Sequence, residues 1–152
     1  MYAAALDVSK AFNRVNHFKL FRTLVNSRIP LAFIDVLCHW SGKLCCVVRW
    51  RGMMSTVFSI GSGVRQGGTL SPALFNLFIN VIIFNLNQSG FGCRVQRTYI
   101  GCILYADDII LLSPTVSGLQ AMLNVCYASS CELRLQFNAN FIVLLLVGLQ
   151  CV

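Results

Sequence analysis

The chain predicts an α+β fold, and three observations carry that prediction. Strand and helix candidates mix along the 152 residues without strict βαβ alternation. Residues 99–112, YIGCILYADDIILL, read as strand–turn–strand. A long apolar helix, capped by Thr69 or Ser71 and with Pro72 in its first turn, runs to about Leu86.

The remaining elements follow in order. Tyr2 to Leu6 is a short apolar strand that ends at Asp7. Ser9 is the expected N-cap of one or two helical turns carrying Ala11, Val15, Leu20 and Leu24. Pro30 opens a second helix that runs to about Gly42. Leu44 to Arg51 and Ser55 to Ile60 read as a hairpin around Gly52. Gly61 to Gly68 is a glycine-rich loop, and the apolar helix follows it. After the 99–112 hairpin, a helix is expected from about Ser117 to Ser129, then a strand near Leu133 to Phe137. Leu74, Phe75, Leu77, Phe78, Val81 and Ile82 form the buried stripe of the long helix.

Composition narrows the class. The chain is 57% apolar and only 11% charged. Such a surface is either covered by other protein or lies partly in a membrane. The tract from Thr69 to Asn87 is interrupted by Asn76, Asn80 and Asn85, and the tract from Phe141 to Val152 is short. Neither reaches the roughly 18–20 apolar residues of a spanning helix, so no membrane partner is expected. No basic, signal-like segment precedes an apolar run, which points to a nuclear or cytoplasmic protein. The eight cysteines contain no CxxC pair, so buried reduced thiols are expected rather than zinc or a disulfide framework. Twelve basic residues, mostly arginine, face five acids for a net charge of +7. This balance suits an anionic partner.

Two of those five acids, Asp107 and Asp108, are adjacent in the greasiest stretch of the chain. Apolar surroundings penalise one carboxylate, and a second beside it adds repulsion. A divalent cation relieves both. A third acid, Asp7, stands at the end of the first strand. If those strands are neighbours, the three carboxylates meet and can hold two Mg²⁺ ions.

YADD at 105–108, LDVSKAF at 6–12 and GVRQGGTLSPALFNLFIN at 63–80 resemble the core palm motifs of reverse transcriptases, in the form closest to LINE-type, non-LTR retrotransposon enzymes. Order and spacing match, over nearly the whole chain. The resemblance implies a polymerase palm with a four-stranded antiparallel sheet backed by two or three helices. It implies an RNA template, a DNA primer, deoxynucleoside triphosphates and two Mg²⁺ ions, with Mn²⁺ as a substitute. Residues 1–152 are then expected to form a partial domain, the palm with part of the fingers, lacking upstream fingers and downstream thumb. A full-length parent would carry an endonuclease domain.

The roles implied are specific. Asp7 and Asp107 would be the principal metal ligands, with Asp108 as second member of the pair and the backbone carbonyl of Val8 assisting. Phe12 matches the residue that excludes a 2′-hydroxyl, a role that competes with ordinary helix packing. Gln66 would approach the incoming nucleotide and template, and Arg65 the nucleotide or template backbone. Gly67 and Gly68 would let backbone approach the base pair. Tyr105 would pack beneath the primer end, in competition with a core role. Lys10 and Arg14 face phosphate or solvent. His17 and His39 read as ordinary helix residues.

The pattern also departs from that family. Asn13 stands where relatives usually carry an acid, and INVIIFNL at 79–86 is apolar where acids are common. Asn140 and Phe141 stand where lysines are expected, and no lysine follows Lys43. Loss of a general acid commonly lowers the rate ~10²–10⁴-fold. Because the expected fingers and thumb would cover palm surface that is otherwise exposed, the isolated chain is expected to be poorly soluble and not to polymerise. The alternative function is a catalytically inactive relic that keeps the palm fold or binds nucleic acid. Viral RNA-dependent RNA polymerases also use paired aspartates; Phe12 and the RQGG loop favour DNA synthesis.

Overall fold

Tyr2–Asp7 forms β1; Ala3, Ala4 and Leu6 are buried, Ala5 and Asp7 half-buried, so burial alternates only over its last four residues. The computed structural model describes residues 1–65, 67–138 and 143–146. These divide into two compact units, Met1–Ala11 with Ile79–Val152, and Phe12–Phe78.

In the first unit, β1 sits inside a four-stranded antiparallel sheet. Its neighbours are β8 (Cys102–Tyr105), β9 (Asp108–Ser113) and β10 (Val143–Leu146), in the order β10-β1-β9-β8. A separate two-stranded ribbon pairs β6 (Arg94–Val95) with β7 (Thr98–Tyr99). Helix α4 (Val116–Leu133) packs on β1 and β9. It brings Leu119, Met122 and Cys126 into the core with Leu6, Ile109 and Leu111. Thr115 caps α4 by accepting from the Gly118 amide, and Arg134 ends it in the left-handed conformation at φ 58°.

The second unit holds a 3₁₀ turn (Ala11–Arg14 begins at its border), α1 (His17–Asn26) and α2 (Leu31–Gly42). Short strand pairs follow: β2 (Cys45–Cys46) with β5 (Phe58–Ser59), and β3 (Arg49–Trp50) with β4 (Met53–Met54). Helix α3 (Ser71–Gln88) gives Ser71–Phe78 to this unit and Ile79–Gln88 to the other. Its stripe of Leu74, Phe75, Phe78, Ile79, Ile82 and Leu86 is buried, at helical spacing.

The architecture is α+β, as the order of elements predicts. Three local expectations are corrected. Ser9 is not a helix cap: its amide donates to the Gln136 carbonyl at 2.8 Å, and Asn16 caps α1 by accepting from the Lys19 amide at 3.0 Å. The expected strand at Leu133–Phe137 is absorbed at its start by α4, and only Phe137 makes an isolated bridge, to Val8. The hairpin around Gly52 is real but broken, because three residues between β4 and β5 face two between β2 and β3, so the register steps by one. The β6–β7 ribbon was not foreseen; Gln96, at φ 54°, turns it without a glycine signal. The seven described cysteines are free thiols, but only Cys126 is buried; Cys38, Cys45, Cys46 and Cys131 are exposed, which corrects the expectation of buried thiols. No helix among the described residues is long and apolar enough to cross a membrane.

Candidate active site

The β8–β9 hairpin is the centre of the site. Tyr105 and Asp108 are direct cross-strand partners, so Ala106 and Asp107 make the whole turn. Ala106 takes φ 52°, a left-handed conformation that disfavours a residue with a side chain. Backbone held in such a region is typical of functional turns.

On the far side of β9, Asp108 is the cross-strand partner of Asp7. Direct partners in an antiparallel sheet share a face, so Tyr105, Asp108 and Asp7 form one row across β8, β9 and β1. The next row, Leu104, Ile109 and Leu6, faces the opposite way, and its Ile109 and Leu6 are buried. The sheet thereby turns its carboxylate row away from its apolar row. Asp108 and Tyr105 are exposed, Tyr105 by 81%, which rules out a core role for this tyrosine. Asp7 and Asp107 are half-buried.

Asp107 joins the row through the backbone: its carbonyl accepts from the Val8 amide at 3.1 Å. Val8 is buried, which fixes that segment of main chain. Asp7 has a further partner that sequence reasoning missed. The Asn138 side-chain amide donates to Asp7 Oδ2 at 3.2 Å, and the Asn138 backbone amide donates to the Asp7 carbonyl at 2.8 Å. The FN pair at 137–138 was the available signal. Lys10, three residues beyond Asp7, is exposed and held at φ 52°.

The structure thus brings together Asp7, Val8, Tyr105, Asp107 and Asp108 in the first unit. Phe12, Arg65, Gly67 and Gly68 lie in the second unit. There the Phe12 ring stacks on Phe75, with centroids 4.7 Å apart. Val64 donates from its amide to the Phe12 carbonyl at 2.8 Å, which ties the glycine loop to this residue. Gly63, at φ 90°, lies so close to Phe12 and Asn13 that a Cβ would meet their carbonyl oxygens at 3.0 Å. His17 contacts the same loop, its Nε2 2.7 Å from the Gly63 carbonyl oxygen. His17 is a polar helix residue, as expected, whose ring also meets the main chain of the glycine loop. Gly67 is at φ 78°, and a Cβ on Gly68 would lie 2.9 Å from Ser71 Oγ. Arg65 is exposed. Gln66, Asn140 and Phe141 lie outside the described residues.

The donors offered by the carboxylate row are all oxygen, the ligand type that Mg²⁺ and Mn²⁺ prefer. Among the described residues, no three His, Cys, Asp or Glu side chains are gathered closely enough to hold a metal ion. The row is a set of aligned donors rather than a closed cage. Behind it the core is chemically quiet: burial pushes the Cys102 thiol up to about 11 and the Cys126 thiol up to about 12.

Paired aspartates thus stand at a hairpin tip beside a third on the neighbouring strand, on a mixed sheet-and-helix scaffold. A family model described as reverse transcriptase (RNA-dependent DNA polymerase) matches residues 1–145, and the chain belongs to that family. Its relatives are proteins of non-LTR retrotransposons. It is 32% identical over 139 residues to the Retrovirus-related Pol polyprotein from type-2 retrotransposable element R2DM of Drosophila melanogaster, covering 91% of this chain and 13% of that protein. It is 35% identical over 128 residues to the corresponding polyprotein of the type-1 element R2 of Nasonia vitripennis, covering 82% and 12%. It is 29% identical over 116 residues to the RNA-directed DNA polymerase from mobile element jockey of Drosophila funebris, covering 76% and 12%. The chain spans only about an eighth of each of these relatives.

Among solved structures, an apo telomerase from Candida tropicalis, truncated from its C-terminal domain, superposes with a TM-score of 0.72 at 16% identity, covering 95% of this chain and 30% of that one. Telomerase from Candida albicans in complex with a telomeric RNA fragment gives 0.57 at 12% identity, covering 99% and 27%. These two likenesses show a shared fold.

Proposed function

We propose that residues 1–152 form the palm, with part of the fingers, of an RNA-directed DNA polymerase. The reaction is attack of a primer 3′-hydroxyl on the α-phosphorus of a deoxynucleoside triphosphate, with pyrophosphate leaving. The observation that supports it most is the pairing of Asp7 with Asp108 across β1 and β9, with Asp107 joined to the same row through the Val8 amide. Like charges placed directly opposite in a sheet are unfavourable unless something neutralises them.

Asp7, Asp107, Asp108 and the Val8 carbonyl would hold two Mg²⁺ ions, or Mn²⁺. When bound, the ions lower the charge on the attacking and departing oxygens. The chain's own residues position. Phosphoryl transfer needs chiefly alignment and charge neutralisation, so little other machinery is required. Tyr105 supports the primer end beside Asp108. Phe12, its ring set against Phe75, bars a 2′-hydroxyl. Gly67 and Gly68 admit close backbone approach to the base pair, and Arg65 and Gln66 address nucleotide and template. The four-stranded sheet of the first unit is the palm sheet in this reading. The polypeptide works in the nucleus or cytoplasm, and its parent carries an endonuclease domain.

A second reading, an inactive relic that keeps the fold, is favoured by one observation: no lysine follows Lys43 to protonate the departing pyrophosphate.

Two experiments decide. Electron paramagnetic resonance of Mn²⁺ with the purified chain should show ions bound, and Asp7→Asn or Asp108→Asn should weaken binding at least tenfold. Equal binding by wild type and both variants would sink the metal assignment. Residues 1–145 should then replace the matching segment of the Drosophila melanogaster R2DM polyprotein in an RNA-templated primer-extension assay. Extension that Asp107→Asn abolishes supports the polymerase; metal binding without extension supports the relic.

A further inference from the structure

The net charge of the chain is confined to one unit. Phe12–Phe78 contains eight basic residues and one acid, a net charge of +7, which equals that of the whole chain. The other unit contains four basic residues and four acids, a net charge of zero. The single acid of the basic unit is Asp35, and no acid occurs from residue 36 to residue 106.

Within that basic unit, the ribbon from β2 to β5 is exposed along its whole length. All residues from 45 to 59 are exposed, with Trp50 at 68% and Met53 at 72%. A two-stranded ribbon is marginal by itself in water, so such a surface calls for an occupant. The tip is nevertheless sharply defined. Arg51 at φ 46° and Gly52 at φ 84° make a two-residue turn with both φ values positive, the geometry that matches strand twist. Ser55 locks the base of the tip: its amide donates to the Val48 carbonyl and its Oγ accepts from the Val48 amide, both at 2.9 Å. Trp50 lies opposite Met53 on one face, and Arg49 opposite Met54 on the other. Arg51 stands at the apex.

We infer that this ribbon tip is a docking surface for single-stranded nucleic acid. The Trp50 indole offers a stacking face for one base, Arg51 at the apex grips a flanking phosphate, and Arg49, on the opposite face, reaches the backbone as it passes round the tip. Charge complementarity selects the occupant: an acid-free, arginine-bearing tip on a unit of net charge +7 fits a polyanion. The exposed indole selects the single strand, because bases in a duplex already stack on one another and hide their faces. The surface contains no carboxylate, so its test is independent of the metal site.

The test uses the purified chain carrying Trp40→Phe, which leaves Trp50 as the only tryptophan. A twelve-residue oligouridylate is titrated at several salt concentrations while Trp50 emission is followed. Quenching is expected, with affinity falling steeply as salt rises. In the unsubstituted chain, anisotropy of the labelled oligonucleotide should show Trp50→Ala binding roughly tenfold to a hundredfold more weakly, with Trp50→Phe close to wild type. Arg49→Ala and Arg51→Ala should each reduce the slope of log affinity against log salt by about 0.7. Far-UV circular dichroism confirms that each variant folds, and Trp50→Phe guards against misreading a local collapse. Three results overturn the proposal: no quenching, wild-type affinity in Trp50→Ala, or tighter binding of a duplex than of the single strand. A concentration-dependent blue shift of Trp50 without oligonucleotide would also overturn it, by showing that the tip is a protein interface.

Discussion

The Asn138 side-chain amide donates to Asp7 Oδ2 across 3.2 Å, joining residues 131 positions apart. Together with the backbone bond from Asn138 to the Asp7 carbonyl, it fixes the carboxylate from behind. Asn138→Ala should lower stability by about 1 kcal/mol in urea unfolding. It should also weaken Mn²⁺ binding, because Asp7 would be free to rotate. Asn138→Asp should destabilise further at neutral pH, since it sets a second negative charge against Asp7. Unchanged urea midpoints in both variants would show that this contact does not hold Asp7.

Ala106 should be replaceable with profit to the fold. At φ 52° its Cβ is disfavoured, and glycine is not. Ala106→Gly is expected to stabilise the chain by about 1 kcal/mol. The gain should appear as a higher urea midpoint at unchanged slope. The greater freedom of Asp107 should weaken metal binding at the same time, which separates stability from site geometry.

Gly63 predicts the opposite. Its φ of 90° and the carbonyl oxygens 3.0 Å from a would-be Cβ leave no room for a side chain. Gly63→Ala should cost about 1–3 kcal/mol. It should also loosen the glycine loop from Phe12, detectable as faster amide exchange at Val64, whose bond to the Phe12 carbonyl depends on that approach.

Stability should fall on the alkaline side. The Cys102 and Cys126 thiols stay protonated in the fold well above their ordinary value of 9.0, up to about 11 and about 12, because burial penalises the thiolate. In the unfolded chain they ionise near the ordinary value. Their contribution is therefore fully present below about pH 9 and is lost as pH rises through the folded values. Urea midpoints measured from pH 8 to pH 11 should decline, and Cys126→Ala should decline less steeply from its lower starting point. An identical slope in that variant would show that Cys126 titrates alike in both states.

The site was legible where local chemistry and tertiary structure agree. Asp7 ends a short apolar strand, and Asp107 and Asp108 lie at the tip between two β-rich runs, so local patterning placed them. Pro72 marked the first turn of α3 for the same reason. The sequence misled where a distant partner overrode a local preference. Ser9 has the chemistry of a cap, but only a 3₁₀ turn, Ala11–Arg14, follows it, and the α-helix starts later, at His17, with Asn16 as its cap. The β6–β7 turn hid because Gln96 adopts a positive φ without announcing it. The concentration of charge in one unit needed the structure, because it depends on where the units divide.

The Asp7–Asp108 pairing makes the β1–β9 register a ruler. Side chains on a strand alternate faces with a period of two, so a slip of one residue would turn Asp7 toward the apolar side and bring Leu6 out in its place. The geometry of the carboxylate row is thus written in counting rather than in bulk. A conservative exchange within Ala3–Leu6 alters packing, whereas losing a single codon there would scramble the site while leaving its composition almost intact.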